Sequence, residues 1–229
     1  MKLRKIITAA ILAAAIACSS LTAMAAPVAT NTAVSEASSK ATSLDKPTLT
    51  AVRNTANGMR VEWKKVSGAK YYAVYRKVEE GTYKLLRTTT NTYIVDKQVK
   101  NGTGYSYKVR CVDAKGNTLS KYSKALFFYR IEAPKLTLKD ANFDTTYCRV
   151  RLTRNAKVDG YEIEWSPSYK WTDTKTKDVD AFKTDTKSVK ITGLKKGEAY
   201  FIKALAYIKD GKTVYFSVPT KTILSQVLD

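Results

Sequence analysis

Gly104-Tyr105-Ser106-Tyr107-Lys108-Val109-Arg110-Cys111 recurs in altered form as Ala199-Tyr200-Phe201-Ile202-Lys203-Ala204-Leu205-Ala206. Both copies place Tyr and then apolar residues at every second position. A strand with one face on a core and the other in water needs that alternation, because successive side chains point to opposite faces. Tyr105, Tyr107, Val109 and Cys111 therefore face inward, as do Tyr200, Ile202, Ala204 and Ala206. The duplication divides the chain of 229 residues into two units of roughly 90 residues, each large enough for its own core.

The strands around this pair repeat in the same order. Met59, Val61 and Trp63 alternate inward in the first unit, and Cys148-Arg149-Val150-Arg151-Leu152 takes their place in the second. Tyr72-Ala73-Val74 is matched by Tyr161-Glu162-Ile163. Trp63 and Leu152, like Tyr72 and Tyr161, are 89 apart, whereas Tyr105 and Tyr200 are 95 apart. The second unit has thus gained six residues between those points, and Ser166-Pro167-Ser168-Tyr169-Lys170-Trp171-Thr172 is the expected place, since loops tolerate insertion. A final first-unit strand is expected near Ser123 to Phe127, with Phe128 to Glu132 as a semi-rigid joint that lacks Gly. Pro47 and Pro134 open the two units, where proline costs no ladder hydrogen bond.

Ahead of the units, Met1 to Lys5 is basic, Ile6 to Ile16 is apolar but too short to span a bilayer, and Ala23-Met24-Ala25 has the small-x-small form of a cleavage site. The expected organisation is a signal peptide at 1–25, an Ala/Ser/Thr-rich tether at 26–44, and modules at 45–132 and 133–229. The expected location is secreted or associated with the cell envelope. An alternative reading takes Ala15-Ile16-Ala17-Cys18 as a lipoprotein box, in which Cys18 would be lipidated and the membrane would become a partner.

The chain has 40 Lys+Arg against 20 Asp+Glu and no His. The first module carries +11 and the second +6. Such an excess draws anionic polymers and surfaces through summed attraction, and argues nothing about fold. Arg60, Lys64, Lys65, Arg76, Lys77, Lys84, Arg87, Lys108 and Arg110 are the first module's candidates for that contact. Without histidine, His-based triads and most zinc sites are unavailable, and no cofactor is expected. Cys111 and Cys148 fall at inward positions of different modules, so they read as small buried hydrophobes and not as a disulfide.

These residues resemble tandem fibronectin type III modules of the kind appended to exported bacterial proteins, over about Asp45 to Val218. The resemblance rests on Pro47, Trp63, Tyr72, Val74, Tyr105-x-Tyr107-x-Val109-x-Cys111, Gly116, Ser120 and Ser123 in the first module. In the second it rests on Gly160-Tyr161-x-Ile163, Leu194-Lys195-Lys196-Gly197 and Tyr200-x-Ile202-x-Ala204-x-Ala206. It implies an all-β fold of two immunoglobulin-like sandwiches, with Tyr105 and Tyr200 as structural tyrosine corners. It implies no single ligand. Leu152 in place of the strand tryptophan and Cys111 in place of the usual Ala depart from the family, and there is no Arg-Gly-Asp tripeptide.

Function is therefore sought on loops and exposed faces. Tyr169 and Trp171 could form a stacking platform for sugar or peptide, because aromatic faces bury much area with little rotamer entropy. The competing expectation is that at least one of them caps the core. Tyr71 and Tyr75 form a second patch, with Arg76 and Lys77 beside them. Glu162 and Glu164 share an outward face about 7 Å apart, the range of an inverting glycosidase pair, although charged strand faces are commonplace. The expected protein is an exported, non-catalytic binding protein that presents its two modules at or outside the cell envelope; the alternatives are a Cys18-lipidated accessory subunit of a surface assembly and a carbohydrate-active enzyme or its accessory module. Its partners would be a protein or glycan at the cell surface and an anionic cell-wall polymer, not nucleic acid.

Overall fold

The computed structural model describes residues 43–140 and 146–225. The leader, nearly all of the tether, the cleavage site and Cys18 lie outside the described residues. All regular structure described is strand. The first module contains β1 (Leu49–Thr55), β2 (Gly58–Trp63), β3 (Tyr71–Val78), β4 (Lys84–Thr89), β5 (Tyr93–Asp96), β6 (Thr103–Val112) and β7 (Leu126–Arg130). The second contains β8 (Leu136–Asp140), β9 (Tyr147–Thr153), β10 (Gly160–Ser166), β11 (Lys175–Asp180), β12 (Thr186–Thr192), β13 (Phe201–Asp210), β14 (Thr213–Phe216) and β15 (Ile223–Leu224). Each module packs a three-stranded sheet, β1-β2-β5 or β8-β9-β12, against a larger one, β4-β3-β6-β7 or β11-β10-β13-β14 with β15 also on β13. All pairings are antiparallel.

Alternation decides the cores. Met59, Val61 and Trp63 from β2 meet Tyr72 and Val74 from β3 and Tyr105, Tyr107, Val109 and Cys111 from β6, all buried. The Trp63 and Tyr72 rings meet edge to face at 5.5 Å. In the second module Cys148, Val150 and Leu152 face Tyr161, Ile163, Ile202, Ala204 and Ala206. The two cysteines are free and sit in separate cores. Burial pushes the Cys148 thiol up to about 11 and also raises that of Cys111.

Hydroxyls finish what the ladders leave open. Tyr105 Oη accepts from the Lys100 N–H at 2.8 Å, and Tyr200 Oη from the Lys195 N–H at 3.2 Å, so each ties the preceding loop to its strand. Tyr72 and Tyr161 accept likewise from the Val66 and Asn155 N–H groups. Ser123 and Ser120 accept from the Val109 and Cys111 N–H groups, as Thr220 and Ser217 do from Ala204 and Ala206. Side-chain oxygens thus stand where a continuous last strand would pair, which satisfies buried amides at little cost. For that reason β7 begins at Leu126 and not near Ser123.

The expected joint is also revised. Phe128, Tyr129 and Arg130 are not linker but the end of β7, paired with β6 through Tyr105↔Phe128 and Thr103↔Arg130. Arg130 is buried and donates to the carbonyls of Thr55 at 2.7 Å and Gly58 at 3.0 Å. Asn54 donates to the carbonyls of Tyr129 and Phe216 and accepts from the Ile131 N–H. Tyr215 of β14 lies edge-on to the rings of Phe127, Phe128 and Tyr129.

The insertion falls elsewhere than expected. Tyr72 pairs with Thr89 and Tyr161 with Val179, offsets of 89 and 90, so the loop carrying Tyr169 and Trp171 accounts for a net gain of one. Val61 pairs with Ile94 and Val150 with Val189, offsets of 89 and 95. The other five extra residues therefore lie between β11 and β12. A bulge between Val74 and Tyr75 in the first module absorbs part of the length that loop counting would assign to the second.

Candidate functional site

The β10–β11 loop is built around Ser166, whose Oγ is fully buried with its residue. It donates to the Thr172 carbonyl and accepts from the Ser168 N–H at 3.1 Å. The Trp171 N–H then donates to the Ser168 carbonyl at 2.9 Å, and Thr174 Oγ1 to the Trp171 carbonyl at 2.7 Å. Ser and Pro favour such local closures, which fold the loop on itself. Trp171 and Asp173 are held at φ 59° and 53°, a left-handed conformation that is uncommon for any side chain and strained for a bulky one.

Register supplies the floor. β10 pairs with β13 so that Glu164 lies opposite Lys203 and Glu162 opposite Leu205, on the outward face. Lys203 Nζ stands 2.9 Å from Glu164 Oε2 and 3.7 Å from the centre of the Trp171 ring. Trp171 is thereby laid over its own sheet, with one ring face taken by the ammonium. Tyr169 is different: it is 69% exposed, at the tip of the loop. The two aromatics thus differ in exposure, and neither is among the residues of the second core. That core holds Trp165, an inward residue of β10 that the sequence reading passed over, although its parity with Tyr161 and Ile163 marked it.

Glu162 and Glu164 share a face, but they are not equivalent. Burial, then Glu164, then Asp178 raise the Glu162 carboxyl above the ordinary range. Glu164 is committed to Lys203. Among the described residues no group of three or more His, Cys, Asp or Glu is arranged to hold a metal.

The second aromatic patch is divided by the pleat. Tyr71, Tyr75 and Lys77 share the outward face of β3, whereas Arg76 has inward parity and turns to the opposite sheet. Its guanidinium donates to Asp96 at 2.9 Å and to the Gln98 carbonyl at 2.8 Å, and Tyr107 Oη donates to the same Asp96 oxygen at 2.8 Å. Arg76 also borders a surface groove of about 630 Å³ with Val78, Thr82, Lys84 and Leu85. Arg76 is nonetheless a structural ion of the first module and not a partner for Tyr71 and Tyr75. The basic candidates are likewise split, since Arg60 lies on β2, paired with Glu62 at 2.7 Å and stacked on Tyr93.

Two antiparallel sandwiches with this strand order, closed by tyrosine and serine hydroxyls at matching positions, define tandem fibronectin type III-like modules. Residues 135–223 match the fibronectin type III domain family model, and residues 40–126 match that of the C-terminal domain of GH85 endohexosaminidases. Among solved structures, the chain is similar to a two fibronectin type III domain segment of chicken tenascin, at 16% identity, with a TM-score of 0.37, over 80% of this chain and 99% of that one. It is similar to the FN1–FN3 domains of chicken CNTN1 at 20% identity, TM-score 0.34, over 79% of this chain and 67% of that one. A β-1,2-glucanase from Parabacteroides distasonis matches at 23% identity, TM-score 0.35, over 38% of this chain and 13% of its own. No curated protein matches.

Proposed function

We propose that this chain is an exported, non-catalytic binding protein whose second module engages a glycan through the tip of the β10–β11 loop. The observation that carries the reading is the pinned loop itself. Buried Ser166 and two left-handed residues hold Tyr169 out into solvent, and a loop that stores strain to expose an aromatic ring is the form a contact residue takes. Ordering the loop before contact lowers the entropy cost of binding. The resemblance of residues 40–126 to a domain of endohexosaminidases favours a carbohydrate over a protein ligand, in an accessory role beside glycan-active enzymes. The N-terminal leader supports export, and mass spectrometry of the native N-terminus distinguishes cleavage after Ala25 from lipidation at Cys18.

The test is a glycan array followed by titration calorimetry on the mature chain, with Tyr169→Ala and Trp171→Ala. Loss of one stacking ring is worth about 1 kcal/mol, so Tyr169→Ala should weaken binding roughly five- to tenfold. Because Tyr169 is exposed, the thermal midpoint should not move. Unchanged affinity in Tyr169→Ala would end the loop reading. Hydrolysis of any glycan in the same screen, lost in Glu162→Gln, would end the non-catalytic one.

A further inference from the structure

The outward face of the first module's larger sheet carries a cluster that the fold does not require. Tyr75 on β3 lies opposite Lys108 on β6, and Ala73 opposite Arg110, so both cations stand on the face away from the core. Lys108 Nζ is 4.2 Å from the centre of the Tyr83 ring and 3.8 Å from that of Tyr122. The Arg110 guanidinium is 5.1 Å from Tyr75 and 4.9 Å from Tyr122, and it donates to Tyr75 Oη at 2.6 Å. Tyr75 and Tyr122 meet edge to face at 5.2 Å. Three tyrosines from β3, the β3–β4 turn and the segment before β7 thus flank two cations. Among the described residues, neither cation has a carboxylate partner within 4.0 Å, and the buried Arg110 Nε has no acceptor.

The second module builds the same face from opposite charge. By register Glu164 stands where Tyr75 does, Glu162 where Ala73 does, Lys203 where Lys108 does and Leu205 where Arg110 does. Asp178 lies opposite Glu162 on β11, and Lys203 is neutralised by Glu164. One sandwich therefore places an acid-rich surface at the position where the other keeps unpaired cations between rings. Sheet stability accepts either, so the cationic face needs another explanation.

We propose that this face binds an acidic glycan, a polymer of sugars bearing carboxylates. A partly desolvated cation without a counterion keeps its field, and the first module's +11 concentrates anions around it. The tyrosine edges supply what simple charge attraction lacks, apolar surface for the C–H faces of sugar rings. Leu85, opposite Tyr75 on β4 and 56% exposed, extends that surface across the sheet, in line with Tyr75 and Lys108. Carboxylates on adjacent residues of the polymer would meet Lys108 and Arg110, while Glu162, Glu164 and Asp178 repel the same ligand from the second module. This site is independent of the Tyr169 loop.

The experiment follows backbone amide shifts of the mature, isotopically labelled chain during titration with oligogalacturonate at 20 mM and 300 mM salt, with a carboxyl-reduced oligosaccharide and inorganic polyphosphate as comparison probes. The expected result is saturable shifts on β3 and β6 of the first module. Lys108→Met/Arg110→Met should weaken affinity at least tenfold, Tyr83→Ala about threefold, and the reduced oligosaccharide should leave these amides unmoved. Tyr169→Ala should have no effect here, which separates this site from the loop. The proposal is overturned if shifts fall on lysines across both modules, or if polyphosphate binds as well and Tyr83→Ala changes nothing, because charge alone would then suffice. It is equally overturned if the double variant lowers the thermal midpoint while binding is unchanged, because the cluster would then serve only the fold.

Discussion

Replacing Asp96 with Asn removes one charge from the buried network Arg76–Asp96–Tyr107 while keeping shape. The Asp96 side chain is 1% exposed and accepts from the Arg76 guanidinium at 2.9 Å, from Tyr107 Oη at 2.8 Å and from the Gln98 N–H at 3.0 Å. An asparagine can keep the Gln98 bond but turns an NH2 group towards Arg76 and Tyr107, two donors. Breaking one partner of a buried ion pair costs about 3–5 kcal/mol. Arg76 is 20% exposed and retains the Gln98 carbonyl at 2.8 Å, so part of its charge stays solvated and paired. The loss should then be about 2–3 kcal/mol, or roughly 10–20 °C in the midpoint of a module this size. Trp63 is the first module's lone tryptophan, so its fluorescence in a Trp165→Phe/Trp171→Phe background reports that module's urea unfolding. The second module supplies the control, because Trp165, Ile191 and Ile202 occupy the register positions of Arg76, Asp96 and Tyr107. Asp96→Ile combined with Arg76→Leu and Tyr107→Phe should recover most of the loss, since apolar packing commonly replaces a buried pair without cost. A loss below about 0.5 kcal/mol, or an apolar triple variant no better than Asp96→Asn, would refute the reasoning.

Two further expectations concern the second module. A Cβ on Gly160 would lie 2.4 Å from Tyr207 Oη, 2.5 Å from Tyr207 Cζ and 3.0 Å from the Val179 carbonyl. Gly160→Ala should therefore destabilise by about 1–3 kcal/mol, as overpacking does, and calorimetry showing an unmoved second-module transition would contradict that. Glu162, raised by burial, Glu164 and Asp178, holds its proton more tightly folded than unfolded. It therefore costs stability once pH rises above its unfolded value, and the cost vanishes in acid. Glu162→Gln should raise the second module's urea midpoint at pH 7 and leave it unchanged near pH 3. An equal shift at both pH values would assign the effect to packing.

Much of the fold was legible because it rests on a local property. Residues of period two must alternate faces, so the buried sides of β2, β3, β6, β9, β10 and β13 could be read from Met59, Tyr72, Tyr105, Cys148, Tyr161 and Tyr200 alone. The same rule marked Arg76 as inward and Trp165 as core, yet their chemical types hid it. An arginine reads as surface until the partner sheet is known to offer Asp96, and Trp165 was not singled out because it stands at a strand end beside the Ser-Pro loop. The insertion was misplaced because a residue count from Tyr161 to Tyr200 spans several loops and cannot say which of them lengthened, and Phe128 to Arg130 read as a joint because strand ends carry no local signal when the next segment is also apolar.

The amino-acid order by itself determined that there are two related sandwiches, which residues line their interiors, and that the first carries the greater positive charge. Tertiary structure alone decided which exposed groups become neighbours. It set Lys203 beneath Trp171, left Tyr169 exposed, and gathered Tyr75, Tyr83, Lys108, Arg110 and Tyr122 from four separate segments onto one face. The reason is physical: facing in or out is set by the backbone geometry of each strand, whereas the contacts across a sheet depend on register and loop closure between residues distant in the chain.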